Sequence, residues 1–100
     1  MDWSEGLELV EKEKYMLDMV VFAEDYTFYL VRAHNKPYWC LYNEGEIWIF
    51  ESFKEALKKA VELWYTMCLY KGKPVKVEIY KHKILVHLDN GETHRYDAVD

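Results

Sequence analysis

The sequence predicts an α+β fold in which one long helix packs on one face of an antiparallel sheet. An amphipathic stretch covers residues 52–71, apolar and aromatic runs separated by turn residues precede it, and alternating aliphatic runs follow it. Strand-like runs that follow one another through short turns favour antiparallel hairpins. A chain of 100 residues, 51% of them apolar, is expected to form a single domain over residues 1–100.

The N-terminal residues are compatible with a short helix that opens near Trp3 and runs to Lys14, with Leu7 and Val10 facing inward. The run over 15–22 is rich in Val, Met and aromatic residues, which favours a strand. Residues 23–26 have the composition of a turn, and 27–33 predict a second strand.

The next two strands are predicted over 38–42 and 47–50, joined by a tight loop at Glu44-Gly45. Pro37 ends the preceding loop, because its ring removes a backbone donor and restricts the residue before it. The tight loop at Glu44-Gly45 sets the register of the two strands. It places Cys40 opposite Ile49 and Leu41 opposite Trp48.

The helix is predicted to begin after Ser52, because Ser52 and Glu55 form a capping-box pattern. Gly72 and Pro74 supply the stop signal, which places the end of the helix near residue 71. The first half of the helix is amphipathic, whereas the second half is apolar nearly all the way round.

A second hairpin follows, with its turn at Lys81-His82 and a last strand over 93–96 after Asn90-Gly91. The predicted register pairs Ile79 with Ile84, Val77 with Val86 and Val75 with Leu88, which gathers six aliphatic residues on one face.

Both faces of the first four strands are apolar, although a helix can cover only one of them. The second face therefore needs a cover, and the candidates are the N-terminal segment, curling of the sheet into a barrel, or another subunit. The residues predicted to contact a partner are Trp39, Leu41, Trp48 and Phe50 on the sheet and Leu63 and Tyr70 on the late helix flank.

The net charge is −5 and is uneven, with −6 over residues 1–50 and +1 over residues 51–100. An acidic chain is a poor general binder of nucleic acid. A basic cluster nevertheless occurs after the helix and could contact phosphate or an acidic partner: Lys71, Lys73, Lys76, Lys81 and Lys83. Together with the sheet aromatics it makes nucleic-acid binding the second hypothesis.

No catalytic motif occurs in the chain, and no cofactor or metal is expected. A two-residue turn at Asn90-Gly91 would make His87 and His94 cross-strand neighbours near Glu78, as in a metal or acid–base site. A three-residue turn would place His94 on the other face. The two cysteines, Cys40 and Cys68, are expected to be buried free thiols.

The absence of Gln, with eleven Lys and twelve Glu, follows the hyperthermophile bias and suggests an archaeal source. The acidic N-terminus does not resemble a signal peptide, and no apolar run could span a membrane, so a cytoplasmic location is expected. The sequence thus favours a small, thermostable, non-catalytic interaction module that forms a homodimer through an aromatic sheet face. A third hypothesis is an acidic decoy from a virus or mobile element.

Overall fold

The computed structural model describes residues 6–68 and 70–99, and this part of the chain contains one helix and eight strands. The strands are β1 (Glu8–Glu11), β2 (Met19–Val21), β3 (Phe28–Arg32), β4 (Trp39–Asn43), β5 (Glu46–Phe50), β6 (Pro74–Ile79), β7 (Lys83–Leu88) and β8 (Thr93–Asp97). The helix α1 (Phe53–Met67) lies between β5 and β6. The predicted α+β class is therefore confirmed, with a β-meander, a helix, and then a hairpin with a last strand.

The strands form two four-stranded sheets, where a single sheet was expected. The meander sheet has the order β2-β3-β4-β5 and is antiparallel throughout, while the second sheet has the order β1-β6-β7-β8. The two sheets meet at a bridge between Val20 and Ala98, next to a hydrogen bond from the Val99 N–H to the Met19 carbonyl (2.9 Å). Residues of both sheets and of α1 share one buried apolar cluster, so the sheets enclose the helix from two sides.

The short helix with which residues 3–14 are compatible does not form where the structure describes them, because Glu8–Glu11 is a strand that pairs in parallel with β6. Its start at Trp3 lies outside the described residues. Leu7 is buried as expected, but Leu9 rather than Val10 packs against the core. The first meander strand is also shorter than predicted, because Lys12 and Met16 hydrogen-bond to Ile79 and Lys81 at the end of the β6–β7 hairpin.

The hairpin between β4 and β5 has the predicted register, with Cys40 opposite Ile49 and Leu41 opposite Trp48. Glu44 and Gly45 both have positive φ, 46° and 93°, as a tight primed turn requires. In the β6–β7 hairpin, the predicted pairs Val77–Val86 and Ile79–Ile84 are confirmed.

The predicted pair Val75–Leu88 is wrong, because Pro74 lies opposite Leu88 and the register shifts between Pro74 and Lys76. Proline cannot donate a hydrogen bond to the ladder, and such positions commonly coincide with bulges.

The helix begins where the sequence predicts, since the Glu55 N–H donates to the Ser52 side-chain oxygen at 3.1 Å. It ends at Met67 instead of near residue 71. The ring of Tyr70 packs on the ring of Tyr65, with centroids 4.6 Å apart. Residues five apart on a helix lie about 140° apart around its axis, so this contact requires the helix to end before Tyr70.

The spacing of apolar residues three and four positions apart predicts one stripe along the helix: Phe53, Ala56, Leu57, Ala60, Val61, Trp64, Met67 and Cys68. Helix α1 buries the first five of these residues, and Tyr65 continues the buried face at the C-terminal end. Met67 and Cys68, which the pattern placed in the stripe, are exposed. Within the described residues, no helix is long and apolar enough to cross a membrane.

Candidate interaction surface

The meander sheet has an inner face that packs on α1 and an outer face whose residues are partly to mostly exposed. The inner side of β3 and β4 is buried, and it includes Phe28, Leu30 and Leu41. The eight outward positions of β2–β5, which we call the outer face, are all apolar or aromatic: Met19, Val21, Tyr29, Val31, Cys40, Tyr42, Ile47 and Ile49.

Strand register arranges the outer face into two continuous cross-strand ladders. One ladder runs Met19–Val31–Cys40–Ile49, and the other runs Val21–Tyr29–Tyr42–Ile47. Neighbouring side chains partly cover one another, and the rings of Tyr29 and Tyr42 stack at 4.9 Å. Even so, Ile47 is 60% exposed and Ile49 is 64% exposed. Antiparallel sheets normally alternate apolar and polar residues when one face meets water, so this face departs from the pattern of a solvated surface.

The four sheet residues predicted to contact a partner lie on the inner face instead. Leu41 is fully buried and Trp39 nearly so, while Trp48 and Phe50 are partly buried against the core. Trp39 packs on the Phe53 ring at 4.6 Å. In this fold Leu41 has no surface left for a partner, so the candidate surface moves to the opposite side of the same strands.

The two predicted helix-flank residues are not equivalent. Leu63 is partly buried against the core, and Tyr70 is 36% exposed. The Tyr70 ring covers both Tyr65 and His94, with centroid distances of 4.6 and 5.1 Å. Tyr70 therefore closes one end of the core and presents only part of its ring to solvent.

A partly buried polar network lies beneath Tyr70. The Tyr65 hydroxyl contacts His94 Nδ1 at 2.7 Å and the Tyr96 hydroxyl at 2.9 Å, and Trp64 Nε1 donates to Tyr96 at 3.1 Å. Burial raises the pKa of Tyr65 and raises the pKa of Tyr96 to about 12. Both hydroxyls stay protonated at neutral pH, so they satisfy one another's hydrogen bonds as buried polar groups must.

Of the two turn lengths that the sequence left open at Asn90-Gly91, the structure has the three-residue one, so His87 and His94 lie on opposite faces. The loop between β7 and β8 has three residues, with Leu88 N–H donating to the Glu92 carbonyl and Gly91 at φ 92°. This register pairs His87 with Thr93 and Val86 with His94. His94 thus points to the helix side.

His87 stays on the solvated face of its sheet, where its Nε2 hydrogen-bonds the Glu78 carboxylate and its Nδ1 lies 3.0 Å from the Thr93 hydroxyl. The hydrogen bond from His87 lowers the pKa of Glu78. Over the described residues, no three His, Cys, Asp or Glu side chains converge as a metal site would require.

The predicted basic cluster is spread along the second sheet. Lys71 and Lys73 precede β6, whereas Lys81 and Lys83 lie at its far end, and β6 itself is about 17 Å long at ~3.3 Å per residue. Lys76 lies between them on the solvated face, opposite His87. These lysines therefore do not form one compact patch.

The two ends of the outer face carry opposite charge. At one end, the β2–β3 and β4–β5 turns lie side by side, joined by a hydrogen bond from the Glu44 N–H to the Thr27 carbonyl (2.8 Å). These turns contain three acids and no base, namely Glu24, Asp25 and Glu44, and a fourth acid, Glu46, is the first residue of β5. Hydrogen bonds from Thr27 lower the pKa of Asp25, so its carboxylate stays charged at a lower pH than an ordinary aspartate does.

The other end opens into a groove of about 880 Å³ that begins at Met19 and Val31 on the outer face. Arg32, His34 and Lys36 line this groove, and Asp18 is its one acidic lining residue. Arg32 approaches Asp18 at 3.7 Å, whereas Lys36 makes no ion pair with any other residue that the structure describes.

The two thiols differ from the expectation that both are buried. Cys40 is half-buried within the outer face, and Cys68 is exposed at the end of α1. The prediction of a buried Cys68 is wrong because the helix ends at Met67, which leaves Cys68 beyond the last packed turn.

Comparison with known proteins finds no matching family model, no matching curated protein and no matching solved structure.

Proposed function

We propose that this chain is a non-catalytic interaction module whose outer face is buried against a second copy of itself. The observation that carries the proposal is the set of eight apolar outward positions on one sheet face, none of which is buried and two of which, Ile47 and Ile49, are mostly exposed. The largest apolar patch on a soluble protein is often functional, and an apolar patch with a polar rim is typical of an interaction site.

The composition of the outer face supports a protein partner in preference to nucleic acid. Its two aromatics, the stacked Tyr29 and Tyr42, are partly exposed, and next to them the 52% exposed Tyr26 lies in the same turn as Glu24 and Asp25. Those carboxylates repel phosphate, whereas interfaces between proteins are enriched in Tyr and depleted of charge at their centre.

Light scattering behind a sizing column tests the proposal at a dilute and a concentrated loading. We expect a mass of twice the chain mass of 12.1 kDa at the concentrated loading, with a shift towards the chain mass on dilution. The chain mass at every concentration up to the millimolar range would contradict the proposal.

A further inference from the structure

We infer that the two copies stack antiparallel, so that the β2–β3 turn of each copy enters the basic groove of the other. This inference depends on the proposed self-association through the outer face, and it adds the orientation of the two copies and the residues that set it. The occupant of the groove is thus a specific acidic turn, with Glu24 and Asp25 at its tip.

The size of the outer face requires its ends to take part in the contact. One strand of three residues and three strands of five residues, about 4.8 Å apart and ~3.3 Å per residue, cover roughly 300 Å². A stable interface buries about 800 Å² on each partner. The apolar ladders alone therefore fall short, and the turns at one end and the groove at the other are the adjoining surfaces that can supply the rest.

Charge selects between the two ways in which a two-fold axis can stack this face on itself. Stacking with like ends together would set the acids of the turns against their own copies and Lys36 against its own copy. The alternative two-fold axis lies between the meander sheets of the two copies and runs across their strands. Rotation about this axis exchanges the two ends of the outer face, so each acidic turn meets the basic groove of the other copy. Opposite charges then face each other twice, once at each end, as a self-complementary two-fold interface permits.

The position of the groove across the sheet agrees with the same two-fold axis. A rotation about an axis across the strands stacks each strand on its own copy, with only its direction reversed. The groove lies at the β2 and β3 side of the sheet, since Asp18, Met19, Val31 and Arg32 line it. The turn that joins β2 to β3 is therefore the one that arrives there, and it brings Glu24 and Asp25.

A charge-exchange cycle tests the inference through the dimer dissociation constant, measured by sedimentation equilibrium in low salt. The variants are Lys36→Glu, Glu24→Lys and the combination of both, which keeps the wild-type net charge. Exposed ion pairs are individually weak, but each occurs twice in the dimer, so we expect each single change to weaken association about tenfold. The combined variant is expected to return to within about threefold of the wild-type constant.

Lys54→Glu and Glu11→Lys serve as matched controls, because they make the same charge changes at exposed positions away from the outer face. We expect them to leave the dissociation constant within about twofold of wild type. A combined Lys36→Glu/Glu24→Lys variant that is weaker than either single variant would overturn the inferred orientation.

The failure of this inference is distinguishable from the failure of the proposed function. If Ile49→Lys and Val31→Lys both abolish the dimer but the charge changes show no coupling, the outer face is the interface and the antiparallel arrangement is wrong. If the chain stays monomeric, or if Ile49→Lys leaves a dimer intact, the proposed function fails and this inference fails with it.

Discussion

Replacing Ile49 by Lys is expected to abolish self-association without unfolding the chain. Ile49 is 64% exposed on the outer face of β5, so the free chain loses little when the side chain changes, within about 0.5 kcal/mol. In the dimer, both copies lose buried apolar area and both gain a charge that must be desolvated. We expect the dissociation constant to rise about 100-fold or more.

Light scattering and sedimentation measure this effect, and circular dichroism checks the fold. Leu85→Lys is the matched control, because it places the same side chain on the outward side of the other sheet. Ile49 also lies on an edge strand, so a companion change, Val31→Lys in the central strand β3, separates face stacking from edge-to-edge pairing. A dimer that tolerates Val31→Lys but not Ile49→Lys would show that the strand edge, and not the face, mediates association.

The second large effect is expected at Leu41, which lies on the same sheet but points to the helix. Its side chain is fully buried between the meander sheet and α1. Leu41→Ala is expected to lower the free energy of unfolding by about 2–5 kcal/mol, because it removes apolar contacts and leaves a cavity. At 4–8 °C per kcal/mol, a loss of about 3 kcal/mol lowers Tm by roughly 12–24 °C.

The matched variant is Ile49→Ala, which truncates an aliphatic side chain on the opposite face of the same sheet. Its cost in the free chain is expected to stay below about 1 kcal/mol, because the side chain is already mostly in water. Urea unfolding measures the free energy of unfolding of both variants, Leu41→Ala and Ile49→Ala, at a protein concentration low enough for light scattering to show monomers. Equal losses in the free energy of unfolding for the two variants would mean that the assignment of inner and outer faces is wrong.

Much of the fold was predictable because local patterns determine it. The Ser52 cap, the Glu44-Gly45 turn and the register between Cys40 and Ile49 each follow from a few neighbouring residues. The parallel pairing of Glu8–Glu11 with β6 was missed because the partner lies about seventy residues away in sequence, and no local periodicity reports such a contact. The end of the helix was missed for a similar reason, since packing of Tyr70 on Tyr65 overrides the stop signal at Gly72.

The candidate surface shows the same limit. The sequence indicated that both faces of the early strands are apolar, but strand periodicity cannot say which set of alternating residues meets the helix. Trp39 and Trp48 looked like interface aromatics because of their size, and that size is what fills the core against Phe53 and α1. A one-residue difference in a turn likewise moved His94 from the solvated face to Tyr65.

The most direct test of burial of the outer face uses the two cysteines of the chain itself. Cys40 lies within the outer face, whereas Cys68 lies exposed at the end of α1. Partial desolvation raises the pKa of the Cys68 thiol, so each thiol is compared only with itself across concentrations. Alkylation with a neutral maleimide, read by peptide mass spectrometry, gives both labelling rates in one sample.

We expect the labelling rate of Cys40 to fall about tenfold or more between dilute and concentrated samples, because a buried thiol is inaccessible to the reagent. The rate of Cys68 should not change, and in the Ile49→Lys variant Cys40 should keep its dilute rate at every concentration. A Cys40 rate that is independent of concentration in a sample shown to be dimeric would contradict the account.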